Sequence, residues 1–212
     1  MQRDLLDALR CPVPHEESWL VAMVHQAVGL TLREATLACP VCSAEYPIVD
    51  GVAHFAAGEV PTHHAWDNDA LVWRLAAQLG VGESTQPVVL VGAYGASSAL
   101  LATKVAAPHL LVNTAGAPAA PGASRMVVAD RLPFGVSTLA AVAVDAGHAT
   151  EVMLASAARA LRPGGRLVAP VHTIIPAGMR ELARDDTEWV AETTTRASGL
   201  IELRRRAPHE VM

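Results

Sequence analysis

The chain has 212 residues, about half of them apolar, with 17% charged residues and a formal net charge of −5. That composition supports a packed core, argues against disorder, and lacks the positive excess of an autonomous nucleic-acid binder. No segment holds eighteen continuous apolar residues and the start "MQRDLLDALRCP" has no signal-peptide pattern, so a cytoplasmic protein without a membrane span is expected.

The first sixty residues carry a split pattern, "LLDALRCPVPH" and "LACPVCSAEYPIVDGVAHF", with a Cys-Pro turn in each half and a strand-like stretch between. Two such turns supply the ligands of a tetrahedral ion, which is the order of a zinc ribbon. Cys39 and Cys42 have the required spacing and Cys11 is a third ligand, while Pro14 stands where a fourth thiol is expected. His15 is the nearest replacement, with His25 and His54 as other candidates. A ribbon held by packing alone and a redox use of the cysteine pair are the alternatives. "YPIVDG" reads as a short strand closed by a turn at Asp50-Gly51.

These residues, from Leu5 to about Phe55, resemble the small zinc-ribbon proteins that activate methyltransferases working on tRNA and translation factors. The resemblance implies a binding module, since such ribbons add to or shield a partner's sheet. "YPIVDGV" is therefore one expected contact surface.

Residues 58–64, "GEVPTHH", form the expected linker between a module at 1–57 and a domain at 65–212. His63 and His64 are adjacent and diverge at a helix start, which argues against their being ligands. An amphipathic helix follows in "AWDNDALVWRLAAQLG" and ends at Gly80. Beyond it, "PVVLVGA", "HLLVNT", "SRMVVA", "AAVAVD" and "RLVAPV" are too uniformly apolar to have a wet face and predict buried parallel strands. Helices are expected at 97–106, 150–161 and about 177–184, and "EWVAET" with "IELRRR" predicts an antiparallel hairpin at the sheet edge. The run Arg204-Arg205-Arg206 is expected at a solvated strand end.

"VVLVGAYGASSALLATKVAAPHLLVNTAG" has the look of a short-chain dehydrogenase, but only fourteen residues separate Ser98 from Asn113, room for one helix and one strand. No tyrosine is followed by the lysine that such an enzyme needs. The strand series, with "VVADRLPFGVSTLAAVAVDAGH" and "ASAARALRPGGRLVAPV", instead resembles the class I methyltransferases that use S-adenosylmethionine, over about Pro87 to Arg206. The expected fold is thus α/β: a zinc-ribbon-like module, then a Rossmann-like sheet of five parallel strands with a terminal antiparallel hairpin.

That family's first loop runs acidic-x-Gly-x-Gly-x-Gly. Here Leu90 holds the acidic position and Gly92 is kept, while Tyr94 and Ala96 replace later glycines and Gly95 offers a shifted turn. Asn113 or Thr114 stands where a ribose-binding carboxylate belongs, and Asp130 is the acidic residue left near the adenine position. Losing charged hydrogen bonds at several contacts predicts S-adenosylmethionine binding weakened by about two orders of magnitude or lost. Asp145 and His148 lie just past the fourth strand, where they either form a base pair facing a methyl acceptor or cap a helix start. The expected function is a binding, scaffold or regulatory protein with a degenerate cofactor site; the alternative is an active methyltransferase with an altered pocket. A homodimer or protein partner is expected through the ribbon or through the sheet edge beside "AGAPAAPGA", which is too short for a covering helix.

Overall fold

The computed structural model describes residues 1–58, 60–116 and 118–194. The eleven described strands form one sheet, and the N-terminal four make an antiparallel meander at its end. They are β1 (Val21–Val28), β2 (Thr31–Ala38), β3 (Glu45–Val49) and β4 (Val52–His54). Asp50 and Gly51 both take positive φ, 49° and 82°, as a two-residue hairpin turn between β3 and β4 requires. β4 then pairs in parallel with β7 (Ser124–Val127), so the expected linker at 58–64 joins two parts of a continuous sheet.

Five later strands run parallel to one another and to β4: β5 (Val88–Val91), β6 (His109–Val112), β7, β8 (Leu139–Val144) and β9 (Leu161–Pro170). In space they follow the order β7-β6-β5-β8-β9. β5, β6 and β8 are buried along their whole length, matching their unbroken apolar sequence. β11 (Glu188–Thr193) lies antiparallel to β9, and β10 (Met179–Arg184) pairs with β11 at the sheet margin.

The helix expected at about 177–184 is therefore strand β10. The Asp185 carboxylate explains the difference, because it accepts from the amides of Thr187 and Glu188 and builds the hairpin turn. The expected helix at 97–106 is shorter: a 3-10 segment, Gly92–Ser97, leads into α2 (Ser98–Leu101), and Pro108 soon follows. "IELRRR" lies outside the described residues.

α1 (Asp69–Leu79) starts where the Asn68 side chain accepts from the Ala70 and Leu71 amides, and it stops at Gly80 with φ 62°. α3 (Glu151–Ala160) is capped by Thr150, whose hydroxyl accepts from the Met153 amide. α1 and α2 pack on one sheet face, where Leu75 and Leu79 meet Val88, Leu90 and Leu111. α3 and the N-terminal segment cover the other, where Leu9, Leu37 and Ile48 share a core with Val89, Leu110, Val112 and Met126. The N-terminal residues lie on that face beside Leu110, Val112 and Met126, while the β6–β7 connection packs on the opposite one through Ala119. Each fully buried leucine there contributes about 1.5–3 kcal/mol.

Neither expected contact edge is free. β3, which carries "YPIV", is flanked by β2 and β4, and β7, beside the "AGAPAAPGA" connection, is flanked by β6 and β4. The described sheet ends at β1 and β10. No helix among the described residues is long and apolar enough to cross a membrane.

Candidate functional site

Two constellations carry chemistry. The first lies in the N-terminal meander, where Cys11, His15, Cys39 and Cys42 each bring one ligand atom into a group with all atoms within 4.8 Å of one another. Cys11 Sγ and Cys42 Sγ are 3.6 Å apart, and Cys39 Sγ lies 3.4 Å from His15 Nε2. A tetrahedral zinc with ordinary bond lengths sets ligand-to-ligand edges of about 3.5–3.8 Å, so this donor set fits the ion. The His15 Nδ1 edge lies against the Glu16 carbonyl, which leaves Nε2 facing the sulfurs. His25 hydrogen-bonds Thr36 at 3.1 Å, and neither it nor His54 belongs to the cluster.

The turns make the thiols suitable ligands. Burial pushes the Cys39 thiol up, but the amides of Cys42 and Val41, then the neighbouring thiols, outweigh it and bring it down to about 6. Burial likewise pushes Cys11 up, and there the hydroxyl of Tyr46, at 3.4 Å, only partly offsets it. The Cys11 turn is fastened to the parallel part of the sheet. The Arg10 amide donates to the Pro133 carbonyl, and Glu17 bridges Arg10 at 3.2 Å and Arg159 of α3 at 2.6 Å.

The second constellation sits at the carboxyl ends of β5 and β8, where the spatial strand order reverses its sequence direction. In open α/β sheets this is where ligands bind. Gly92 has φ 62°, and a side chain on it would collide with the carboxylate of Asp145. Asp145 Oδ2 accepts from the Ala93 amide at 2.8 Å, and Oδ1 lies 2.6 Å from His148 Nδ1. Burial raises the Asp145 carboxyl, but the His148 bond, the Ala93 amide and the nearby His63 outweigh it and hold it below the usual range.

Asn113, expected at the ribose-binding position, has φ 52° and is buried. Its amide donates to the Val128 carbonyl at 3.0 Å and accepts from the Val128 amide at 2.9 Å, tying the end of β6 to the end of β7. Thr114 donates to the Gly92 carbonyl at 2.7 Å, and its side chain occupies the space that a Cβ on Gly95 would enter. Gly92, Gly95, Asp145 and His148 are thus brought together, with Asn113 in the adjoining turn. Asp130 is exposed and pairs with Arg131 at 3.4 Å.

Residues of the expected linker cross the same region. The Ala115 amide donates to the Pro61 carbonyl, His63 to the Ala115 carbonyl, and Trp66 to the Ala96 carbonyl. His63 Nε2 is buried with no hydrogen-bond partner among the described residues. Sequence reasoning missed Glu188, which accepts from Tyr94, Arg74 and Gln78 and sits 94 positions from Tyr94. No local spacing signals such a pairing.

No family model matches this chain, and no curated protein matches it. Among solved structures, the chain is similar to a geranyl diphosphate methyltransferase in complex with SAM, at 22% identity over 48% of each chain with a TM-score of 0.39. A geranyl diphosphate C-methyltransferase from Streptomyces coelicolor A3(2) matches at 16% identity, over 47% of this chain and 42% of that one, with a TM-score of 0.37. A 16S rRNA N2 G1207 methyltransferase from T. thermophilus matches at 18% identity, over 80% of this chain and 53% of that one, with a TM-score of 0.32. The chain spans about half the length of the first of these structures.

Proposed function

We propose that this chain is a methyltransferase-like binding protein whose cofactor crevice is filled at its glycine loop by its own Asp145 and whose N-terminal meander is a ribbon fixed by zinc. The observation that carries the reading is the Asp145 carboxylate, which lies against Gly92 and holds the Ala93 amide. Glycine serves in such a loop because a ligand needs close backbone approach, and here a side chain of the same protein takes that space. Asn113 supports the reading from the other side, since both ends of its amide are engaged by Val128.

Five parallel strands followed by an antiparallel hairpin support the resemblance to class I methyltransferases. The parallel pairing of β4 with β7 is what a sheet-adding ribbon does when its partner is in the same chain. Cys11, His15, Cys39 and Cys42 are the zinc ligands in this reading. With four protein ligands the ion is structural, because no position is left for substrate.

The partner surface that this reading favours is β1. It carries no Asp, Glu, Lys or Arg and exposes Val21 at 61% and Met23 at 60%. β10, at the other margin, presents Arg180, Glu181 and Arg184, the kind of charge that blunts an edge.

Calorimetry tests the crevice. Titration with S-adenosylmethionine or its demethylated product is expected to give no binding up to about millimolar ligand. A micromolar dissociation constant overturns the reading and returns Asp145 and His148, hydrogen-bonded at 2.6 Å, to the role of an acid-base pair in an active methyltransferase. Elemental analysis of protein purified without chelator is expected to give close to one zinc per chain, and protein without metal refutes the zinc assignment.

A further inference from the structure

Beside Gly92 and Asp145 lies a cavity of about 450 Å³, walled by α1, the loop after β5, the ends of β8 and β9, and the start of β11. That volume is in the range of small-molecule sites. Its aromatic side is made by Trp66 and Tyr94, with ring centroids 5.9 Å apart and planes tilted by 48°. Leu71 and Leu75 add apolar surface. Two carboxylates, Asp145 and Glu188, and one guanidinium, Arg74, line it, and Arg74 Nη2 pairs with Asp185 and with Glu188 at 3.1 Å.

We propose that this cavity binds a quaternary ammonium group. The aromatic faces and the excess of carboxylate attract a cation, and apolar walls accept its methyl groups. The hydrogen-bonding pattern narrows the class. Asp145 Oδ2 already accepts from Ala93 and Oδ1 from His148, while Glu188 Oε1 accepts from Tyr94 and Oε2 from Arg74 and Gln78. The wall therefore offers negative charge and π-faces with its carboxylate oxygens engaged. A primary ammonium, which must replace its hydrogen bonds to water, loses more on entry than a quaternary one, which makes none. The same bonds hold Tyr94 and Glu188 in place before any ligand arrives, which lowers the cost of binding.

The proposal rests on the reading above, because an open crevice admits a sulfonium cofactor to the same wall. The full chain is titrated calorimetrically with choline and with its uncharged isostere 3,3-dimethylbutan-1-ol. Choline is expected to bind saturably and at least about tenfold more tightly than the alcohol, a difference of about 1.4 kcal/mol. Trp66→Leu keeps apolar volume and removes the π-face; Glu188→Gln keeps shape and removes charge. Each is expected to weaken choline about tenfold while cooperative thermal unfolding is retained. If both variants lose that transition, the wild-type comparison of choline with the alcohol decides alone.

Equal binding of the two compounds, or no saturable binding of choline at about ten millimolar, overturns the proposal and leaves the filled crevice standing. Binding of S-adenosylmethionine at micromolar concentration overturns the filled crevice instead. Choline that binds in its absence and is displaced by it keeps the ammonium site.

Discussion

His15 follows Pro14, and its Nε2 joins three sulfurs in one group. His15→Ala is expected to lower zinc affinity at least about tenfold in competition with a chromophoric chelator, the effect of removing one of four ligands. His25→Ala is expected to leave it unchanged; equal effects contradict the ligand set. The depressed Cys39 thiol gives the zinc-free protein a pH dependence. Its folded value of about 6 lies below the ordinary thiol value of about 8.5. The thiolate's stabilisation is thus fully present above about pH 8.5 and lost as pH falls through about 6, which urea unfolding across that window measures. Asn113 separates a structural from a cofactor role. Asn113→Asp introduces a carboxylate but removes the donor to the Val128 carbonyl, so a loss of about 1–3 kcal/mol in denaturant unfolding is expected, with no gain in S-adenosylmethionine binding. The Cys/His cluster was legible because turns hold its members at fixed local spacings. The internal partners of Asn113, Thr114 and Tyr94 were not, because side-chain bonds between strand ends follow from topology and leave no period in the sequence.

At the scale of elements, the loop after β5 is set by its glycines. Gly92→Ala meets both a φ of 62° and the Asp145 carboxylate, and is expected to cost about 1–3 kcal/mol in thermal or denaturant unfolding. Retained stability in that variant means that Asp145 moves away easily and that the crevice can open. The five parallel strands, α1 and α3 were readable from continuous hydrophobicity and capping residues, and the Asp50-Gly51 turn from its dipeptide. β10 was not, because "MRELAR" has good helix formers, and its strand form comes from pairing with β11 across the Asp185 turn. The covering of Leu110, Val112 and Met126 by Leu9, Leu37 and Ile48 was also hidden, because those residues stand far away in the sequence.

For the whole molecule, one buried cluster runs from Leu5 and Leu37 through Leu110 and Val142 to Trp189. Zinc removal is therefore expected to lower a single thermal transition rather than to melt the N-terminal meander alone; two separated transitions contradict a shared core. The uncharged margin at β1 is expected to support association, read by light scattering after size exclusion at about ten micromolar. Val21→Lys with Met23→Lys places charge on that margin and is expected to leave a monomer with unchanged thermal unfolding. A wild-type monomer, with no partner recovered from the host, counts against the binding-protein reading.

The pairing of β4 with β7 has a consequence for competition between molecules. A meander tethered to the sheet it extends faces that sheet at an effective concentration of roughly millimolar or above, so a free copy at cellular levels cannot displace it. The same tether keeps this meander from extending another protein's sheet through β4. Cutting the chain between β4 and α1 would remove that advantage without removing a single contact of the strand pair, and dilution would then decide whether the halves stay together.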